Sequence, residues 1–217
     1  IFTVIIILIK KHCNSQMGGS ELTTVAWLIC CISIGLPQWR VWHFQDPVVF
    51  KSTTAFVGMW RVCTLQHDEN FRNIRICHQY NYHDAFIPLD IRMTQQLLLV
   101  ASVFGLVGKV TTIIALWNVC RGRVHSNATY NPFALSGILN IIASSFICLA
   151  IFLNYVSIIL QKGIVFPPSF NIPSQPDTQE IGSAMVLAII AAVFFLLSGT
   201  ILLNSNFPVN KTVHSKY

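Results

Sequence analysis

Four apolar segments dominate this 217-residue chain, and each is long enough to cross a membrane. A spanning helix needs about 20 mostly apolar residues, because the hydrocarbon core is about 30 Å thick and a helix rises about 1.5 Å per residue. Only 10% of the residues are charged, whereas a soluble protein carries about 25%. The sequence therefore predicts an integral membrane protein with spans at residues 18–37, 97–119, 135–159 and 181–203.

The basic residues indicate how these spans are oriented. Cytosolic segments of membrane proteins are enriched in Lys and Arg. If both termini and the loop 120–134 are cytosolic, that side holds basic residues and no acid: Lys10, Lys11, Arg121, Arg123, Lys211 and Lys216. Bases and acids then balance on the outer side. The net charge of +6 is thus a property of the inner face, and the bilayer rather than nucleic acid is the expected partner.

The two ends of the chain are expected to be cytosolic segments, residues 1–17 and 204–217. The apolar run 1–9 is too short to span and is followed by lysines. Three interpretations of it stay open: a signal-like fragment, a non-native upstream translation, and a tail lying on the membrane. Cys120, at the inner end of the second span, is a candidate for palmitoylation.

The segment 38–96 is predicted to be the first extracellular loop, and it is too long for a simple connector. Runs of aromatic and β-branched residues, such as 39–44 and 53–65, predict strands. Cys63 and Cys77 are the cysteines that this topology places outside, where a disulfide persists. A bridge between them closes a loop of about 15 residues and contributes about 3 kcal/mol, which a small antiparallel sheet needs because short hairpins alone are marginally stable.

The second outer loop, residues 160–180, holds four prolines and two phenylalanines. Phe166 and Phe170 are predicted to contact a partner molecule, because exposed aromatic rings on a stiff loop are typical of an interaction surface. The alternative is that both rings pack back on the helix bundle or on the bilayer surface.

Catalytic and metal-binding motifs do not occur in this sequence. The phosphate-binding loop, the zinc-protease motif and the nucleophile elbow are absent, and the seven histidines are scattered. We therefore expect no enzyme activity, no metal and no cofactor.

The first outer loop carries Trp39, the triplet Gly58-Met59-Trp60 and the pair Cys63 and Cys77, and Arg92 follows just before the second span. In these features the chain resembles the claudin family of tight-junction proteins. The similarity covers about residues 18–203. Met59 replaces the family's leucine, the interval between the cysteines is longer than usual, and residues 214–217 differ from the terminus that binds PDZ scaffolds. The resemblance therefore indicates a divergent member for which PDZ-scaffold binding is not expected.

This resemblance implies a fold. The expected architecture is a membrane α+β protein: a left-handed bundle of four transmembrane helices carrying a small antiparallel extracellular β-sheet built from both outer loops. Trp39 and Trp60 are expected to fill the space beneath the sheet. Arg92 is expected to pair there with backbone carbonyls or an acid.

The resemblance also implies a function. It points to a multi-pass plasma-membrane protein of tight junctions, which binds claudin-like molecules in its own membrane (in cis) and in the opposing one (in trans) to form a paracellular barrier or pore. His78, Arg75 and Asp84 are the candidate pore-lining residues. The alternative is a non-polymerising subunit of a channel or receptor, like the gamma-subunit or peripheral-myelin-type proteins of the wider superfamily.

Overall fold

The computed structural model describes residues 2–46, 51–67, 73–120 and 131–204. Within these residues four long helices are present: α1 Phe2–Gly35, α2 Leu89–Cys120, α3 Pro132–Ile159 and α4 Ser183–Leu203. Each contains a segment long and apolar enough to span a membrane: Gln16–Gly35, Leu89–Asn118, Pro132–Ile159 and Ser183–Leu203. The predicted four-helix membrane architecture is confirmed, and the left-handed sense of the bundle stays a prediction.

Both α1 and α2 begin well before the residues that the apolar pattern indicates. α1 starts at Phe2, so the backbone of the predicted separate segment 1–17 is helical from that residue on. α2 starts at Leu89, so residues 89–96 form its first turns rather than the end of a loop. The polar residues of these turns, including Asp90 and Gln95, hid this start from a hydropathy argument. They have partners beneath the sheet, described below.

A five-stranded antiparallel sheet sits at one end of the bundle. Its strands are β1 Arg40–Asp46, β2 Lys51–Val57, β3 Arg61–His67, β4 Asn73–Gln79 and β5 Thr178–Ile181. The strand order is β4-β3-β2-β1-β5. β5 comes from the second outer loop and pairs with β1, with Ile181 opposite Arg40. The prediction that both loops build one antiparallel sheet is confirmed.

The run 53–65, interpreted from the sequence as one strand, is divided between β2 and β3. The chain turns at Gly58, whose N–H donates to the carbonyl of Arg61 at 3.0 Å. A Cβ atom at Gly58 would lie 2.5 Å from the Cα of Pro37, closer than two carbons can approach. A glycine is therefore required for the turn to rest against the end of α1.

Polar side chains and glycines hold the helices together below the sheet. The Nδ2 of Asn140 in α3 donates to the Thr23 hydroxyl of α1 at 2.8 Å and lies 3.2 Å from the Ser198 hydroxyl of α4. α3 and α4 are in close contact at Gly137, where a Cβ atom would lie 2.8 Å from the carbonyl oxygen of Gly199. Interhelical hydrogen bonds and small residues at the contact are what membrane helices use to associate.

Candidate functional site

The face of the sheet that points toward the helices carries the largest buried side chains. Strand alternation places Arg40, Trp42 and Phe44 on this bundle-facing side of β1. Trp42 is 0% exposed, as is Trp39 just before the strand. The indole N–H of Trp39 donates to the carbonyl of Ser33 at 2.8 Å, which ties it to the last turns of α1. Trp60 is half-buried against the same core.

A buried arginine joins this face of the sheet to two helices. Arg40 is 1% exposed, and its Nη2 lies 2.6 Å from Oδ2 of Asp90 in α2. The Arg40 Nε also donates to the Asn154 Oδ1 of α3 at 3.0 Å, and the Ser157 hydroxyl donates to the Asp90 carboxylate. β1, α2 and α3 are thereby fastened at one point.

Of the two kinds of partner expected for Arg92, a backbone carbonyl or an acid, Arg92 has the carbonyl, whereas the acid pairs with Arg40. Arg92 does meet a backbone carbonyl, that of Asp84, to which its Nη2 donates at 2.6 Å. Its guanidinium also lies over the Tyr82 ring, 6.0 Å from the centroid. It therefore braces the segment between β4 and α2, whereas the acid-paired arginine beneath the sheet is Arg40.

Two hydrogen bonds from neighbouring elements hold the Gly58-Met59-Trp60 triplet. The Tyr80 hydroxyl donates to the carbonyl of Gly58, and the Gln95 Nε2 of α2 donates to the carbonyl of Met59 at 2.5 Å. Burial raises the pKa of Tyr80 well above its usual range, although the charge of Arg40 acts in the opposite direction. The phenol therefore stays protonated at neutral pH and remains a donor.

A disulfide joins Cys63 and Cys77, which stand directly opposite each other in β3 and β4. Cys63 is 1% exposed, whereas Cys77 is exposed on the edge strand. The bond therefore ties an edge strand to the packed part of the sheet. The described residues contain no group of three His, Cys, Asp or Glu side chains that could hold a metal ion.

The second outer loop covers the bundle-facing side of the sheet with aromatic rings. Phe166 is only 7% exposed, and its ring centroid lies 5.8 Å from that of Trp42 and 6.0 Å from that of Phe86. The prediction that Phe166 is exposed to a partner is therefore wrong, because the loop folds back and makes this ring part of the core. The exposed apolar residue is its neighbour Val165, at 74%, which the sequence argument missed.

Phe170 connects the second loop to β4. It is half-buried and stacks on the His78 imidazole with a centroid separation of 4.4 Å and an interplanar angle of 11°. Phe170, which was predicted to contact a partner, and His78, which was predicted to line a pore, therefore cover each other.

The three candidate pore-lining residues do not form one cluster. His78 lies on the bundle-facing side of β4, since it stands opposite the buried Val62. Arg75 lies on the opposite face, with its guanidinium 5.5 Å from the Phe56 ring centroid. Asp84 lies in the turn after β4, where its carboxylate accepts from the Asn81 N–H at 2.7 Å. The face turned away from the helices also carries His43 and Glu180, 3.5 Å apart.

Four helices that can span a membrane, together with a disulfide-stapled sheet at one end, define a four-span membrane protein. The sequence matches the family described as PMP-22/EMP/MP20/Claudin tight junction over residues 24–204. The chain belongs to this family, and it is a divergent claudin family member.

Individual claudins are similar to this chain along most of their length. Claudin-3 of Canis lupus familiaris is 24% identical over 198 residues, covering 90% of this chain and 84% of that protein. The claudin-like protein ZF-A9 of Danio rerio is 24% identical over 207 residues, covering 91% and 88%. Claudin-4 of Bos taurus is 24% identical over 204 residues, covering 93% and 91%.

Proposed function

We propose that this chain is a tight-junction-type adhesion protein of the plasma membrane that polymerises with claudin-like molecules and forms a paracellular barrier or pore. The observation that carries the proposal is the order of the sheet, which ends in two unlike strands, β4 and β5. An edge strand presents unpaired backbone groups that can pair with another chain. Within the described residues no further strand pairs with β4 or with the outer side of β5, so the sheet can continue into its neighbours.

The unlike edges favour an open row over a closed dimer. Pairing of β4 with β5 of the next molecule is a head-to-tail contact, and such contacts propagate as filaments when the rotation between copies does not close a ring. β4 adds apolar surface to its edge, since Ile74 is 48% exposed and Ile76 is 40% exposed. Contacts in cis are thus assigned to β4 and β5.

Contacts across the intercellular gap are assigned to the second outer loop. Val165 offers an apolar side chain that is 74% exposed, and the half-buried Phe170 lies in the same loop. The cluster of Trp42, Phe86 and Phe166 beneath them makes the loop stiff, so little freedom is lost on binding. Of the proposed pore residues, Arg75 is exposed on the face turned away from the helices, where it can meet ions or a partner.

The test is to express the chain in cells without junctions and to image contacts by freeze-fracture. Continuous strands are expected at cell–cell contacts, and transepithelial resistance with dilution potentials would then separate a barrier from a pore. Ile74→Lys places a charge on the β4 edge and should shorten or abolish the strands. The control His83→Lys changes an exposed residue outside the strands and should leave them intact.

A second candidate, a non-polymerising subunit of a channel or receptor, is favoured by the breadth of the matched family, whose description includes PMP-22, EMP and MP20 besides claudins. This candidate predicts a dispersed protein that co-purifies with a channel, and no effect of Ile74→Lys on its distribution. That outcome would overturn the polymerisation proposal.

A further inference from the structure

An apolar groove opens between α3 and α4 on the membrane-facing surface of the bundle. Its volume is about 450 Å³. Ser144 and Ala192 form its floor, each 4% exposed. Cys148 and Tyr155 of α3 line one wall, and Val193 and Leu196 of α4 line the other. All of these residues lie in the two helices assigned as spans, so the groove opens to the bilayer.

The groove lies on the sheet side of a close contact between the two helices. They touch at Gly137 and Gly199, where backbone atoms replace side chains at the contact. At the floor of the groove the Ser144 hydroxyl donates to the carbonyl of Ala192 at 2.8 Å. The groove runs from this point to Ile181 of β5, and the described side chains leave it unfilled.

The length of the groove matches one leaflet of a bilayer. Ser144 and Tyr155 are 11 positions apart in α3, which is about 16 Å along a helix axis. The hydrocarbon core is about 30 Å thick, so the groove spans about half of it, on the side of the sheet. Tyr155 is 45% exposed at the sheet end, where an aromatic ring with a hydroxyl suits the boundary with water.

The chemistry of the lining limits what can occupy it. None of the lining residues is charged, so a phosphate or amine headgroup would find no partner there. Apolar walls with one hydroxyl at the mouth suit a neutral, apolar molecule that has one small polar group. A rigid ring system also loses less conformational freedom on binding than a flexible acyl chain. We propose that the α3–α4 groove binds one membrane sterol of the outer leaflet, with its hydroxyl directed to Tyr155.

Photo-crosslinking in vesicles tests this proposal. The purified full-length chain is reconstituted in phosphatidylcholine containing a photoactivatable cholesterol analogue, and the labelled peptides are identified by mass spectrometry. Labelling is expected in the stretches 144–155 and 185–196, with competition by unlabelled cholesterol. Val193→Phe narrows the groove from its rim and should lower labelling about tenfold, because overpacking costs about 1–3 kcal/mol and 1.4 kcal/mol is a factor of ten.

A matched control separates a site from general solvation by lipid. Val110 in α2 is as exposed as Val193, 48% for each, but it does not line the groove, so Val110→Phe should leave the labelling unchanged. Equal labelling of α2 would overturn the proposal, as would equal labelling of the groove by a photoactivatable phosphatidylcholine. Disulfide cross-linking of two copies through Cys148 would assign the groove to a second copy instead. Retention of the Cys63–Cys77 bond and of monodisperse elution verifies that each variant is folded.

Discussion

The Arg40 guanidinium lies 2.6 Å from the Asp90 carboxylate, and this ion pair fastens the first strand of the sheet to the first turns of α2. The side chains are 1% and 13% exposed, so both charges are largely removed from water. Removal of one partner from a buried pair costs about 3–5 kcal/mol, because the remaining charge is left uncompensated. The attachment of β1 to α2 should therefore be destabilised by a single substitution at either Arg40 or Asp90.

We expect Asp90→Asn to lower the free energy of unfolding by about 3–5 kcal/mol, measured as thermal unfolding in detergent. The double variant Arg40→Met with Asp90→Leu removes both charges and should recover much of that loss, since apolar replacements of buried pairs are often tolerated. An Asp90→Asn protein that melts at the wild-type temperature would contradict the buried pairing.

Loss of the disulfide should lower the amount of protein that reaches the cell surface. Cys63→Ser removes about 3 kcal/mol of stabilisation, given a closed loop of about 15 residues, and leaves the edge strand β4 untied. We expect the variant to be retained inside the cell, as read by surface biotinylation. Cys148→Ser, which changes an exposed free cysteine, is the control and should reach the surface. Normal delivery of Cys63→Ser would show that the bond is dispensable for folding.

The turn at Gly58 should not tolerate even one added carbon. A Cβ atom there would lie 2.5 Å from Pro37 Cα, so Gly58→Ala must shift the turn or the end of α1, at a cost of about 1–3 kcal/mol. The control Gly18→Ala adds the same atom where nothing lies within 4 Å and should keep or raise stability, because alanine is the better helix former. Equal melting temperatures for the two variants would refute the close contact.

Neighbouring residues of the second loop should affect different properties. Phe166→Ala empties a place in the core and should cost about 3–5 kcal/mol of stability. Val165→Asp changes a side chain that is 74% exposed, so it should leave the melting temperature unchanged and weaken adhesion between cells that express the chain. Unchanged aggregation of Val165→Asp cells would remove this residue from the proposed contact in trans.

Hydropathy predicts the helices well, because a span must be continuously apolar over a length that the bilayer sets. Alternation predicts the strands for a similarly local reason. The division of the run 53–65 at Gly58 was missed, because the turn depends on the contact with Pro37 in another element.

The burial of Arg40 could be predicted from the sequence, whereas its pairing with Asp90 could not. Arg40 shares the period-two face of Trp42 and Phe44, which is a signal for burial, but an arginine is rarely buried without a partner. Its partner Asp90 lies 50 positions away, so the pairing follows only from the tertiary fold. The burial of Phe166 has the same origin, since the rings that cover it come from β1 and from the segment before α2.

The position of β5 in the chain determines when the sheet can be completed during synthesis. β1 to β4 are made before α2 emerges, but the strand that completes the sheet beside β1 is made after α3. Until then the bundle-facing side of β1 lacks Phe166, and β1 lacks its partner strand on this edge. Completion of the sheet therefore requires that the third span is inserted with its β5 end on the same side of the membrane as β1, so that a topological error would leave this edge of the sheet unfinished.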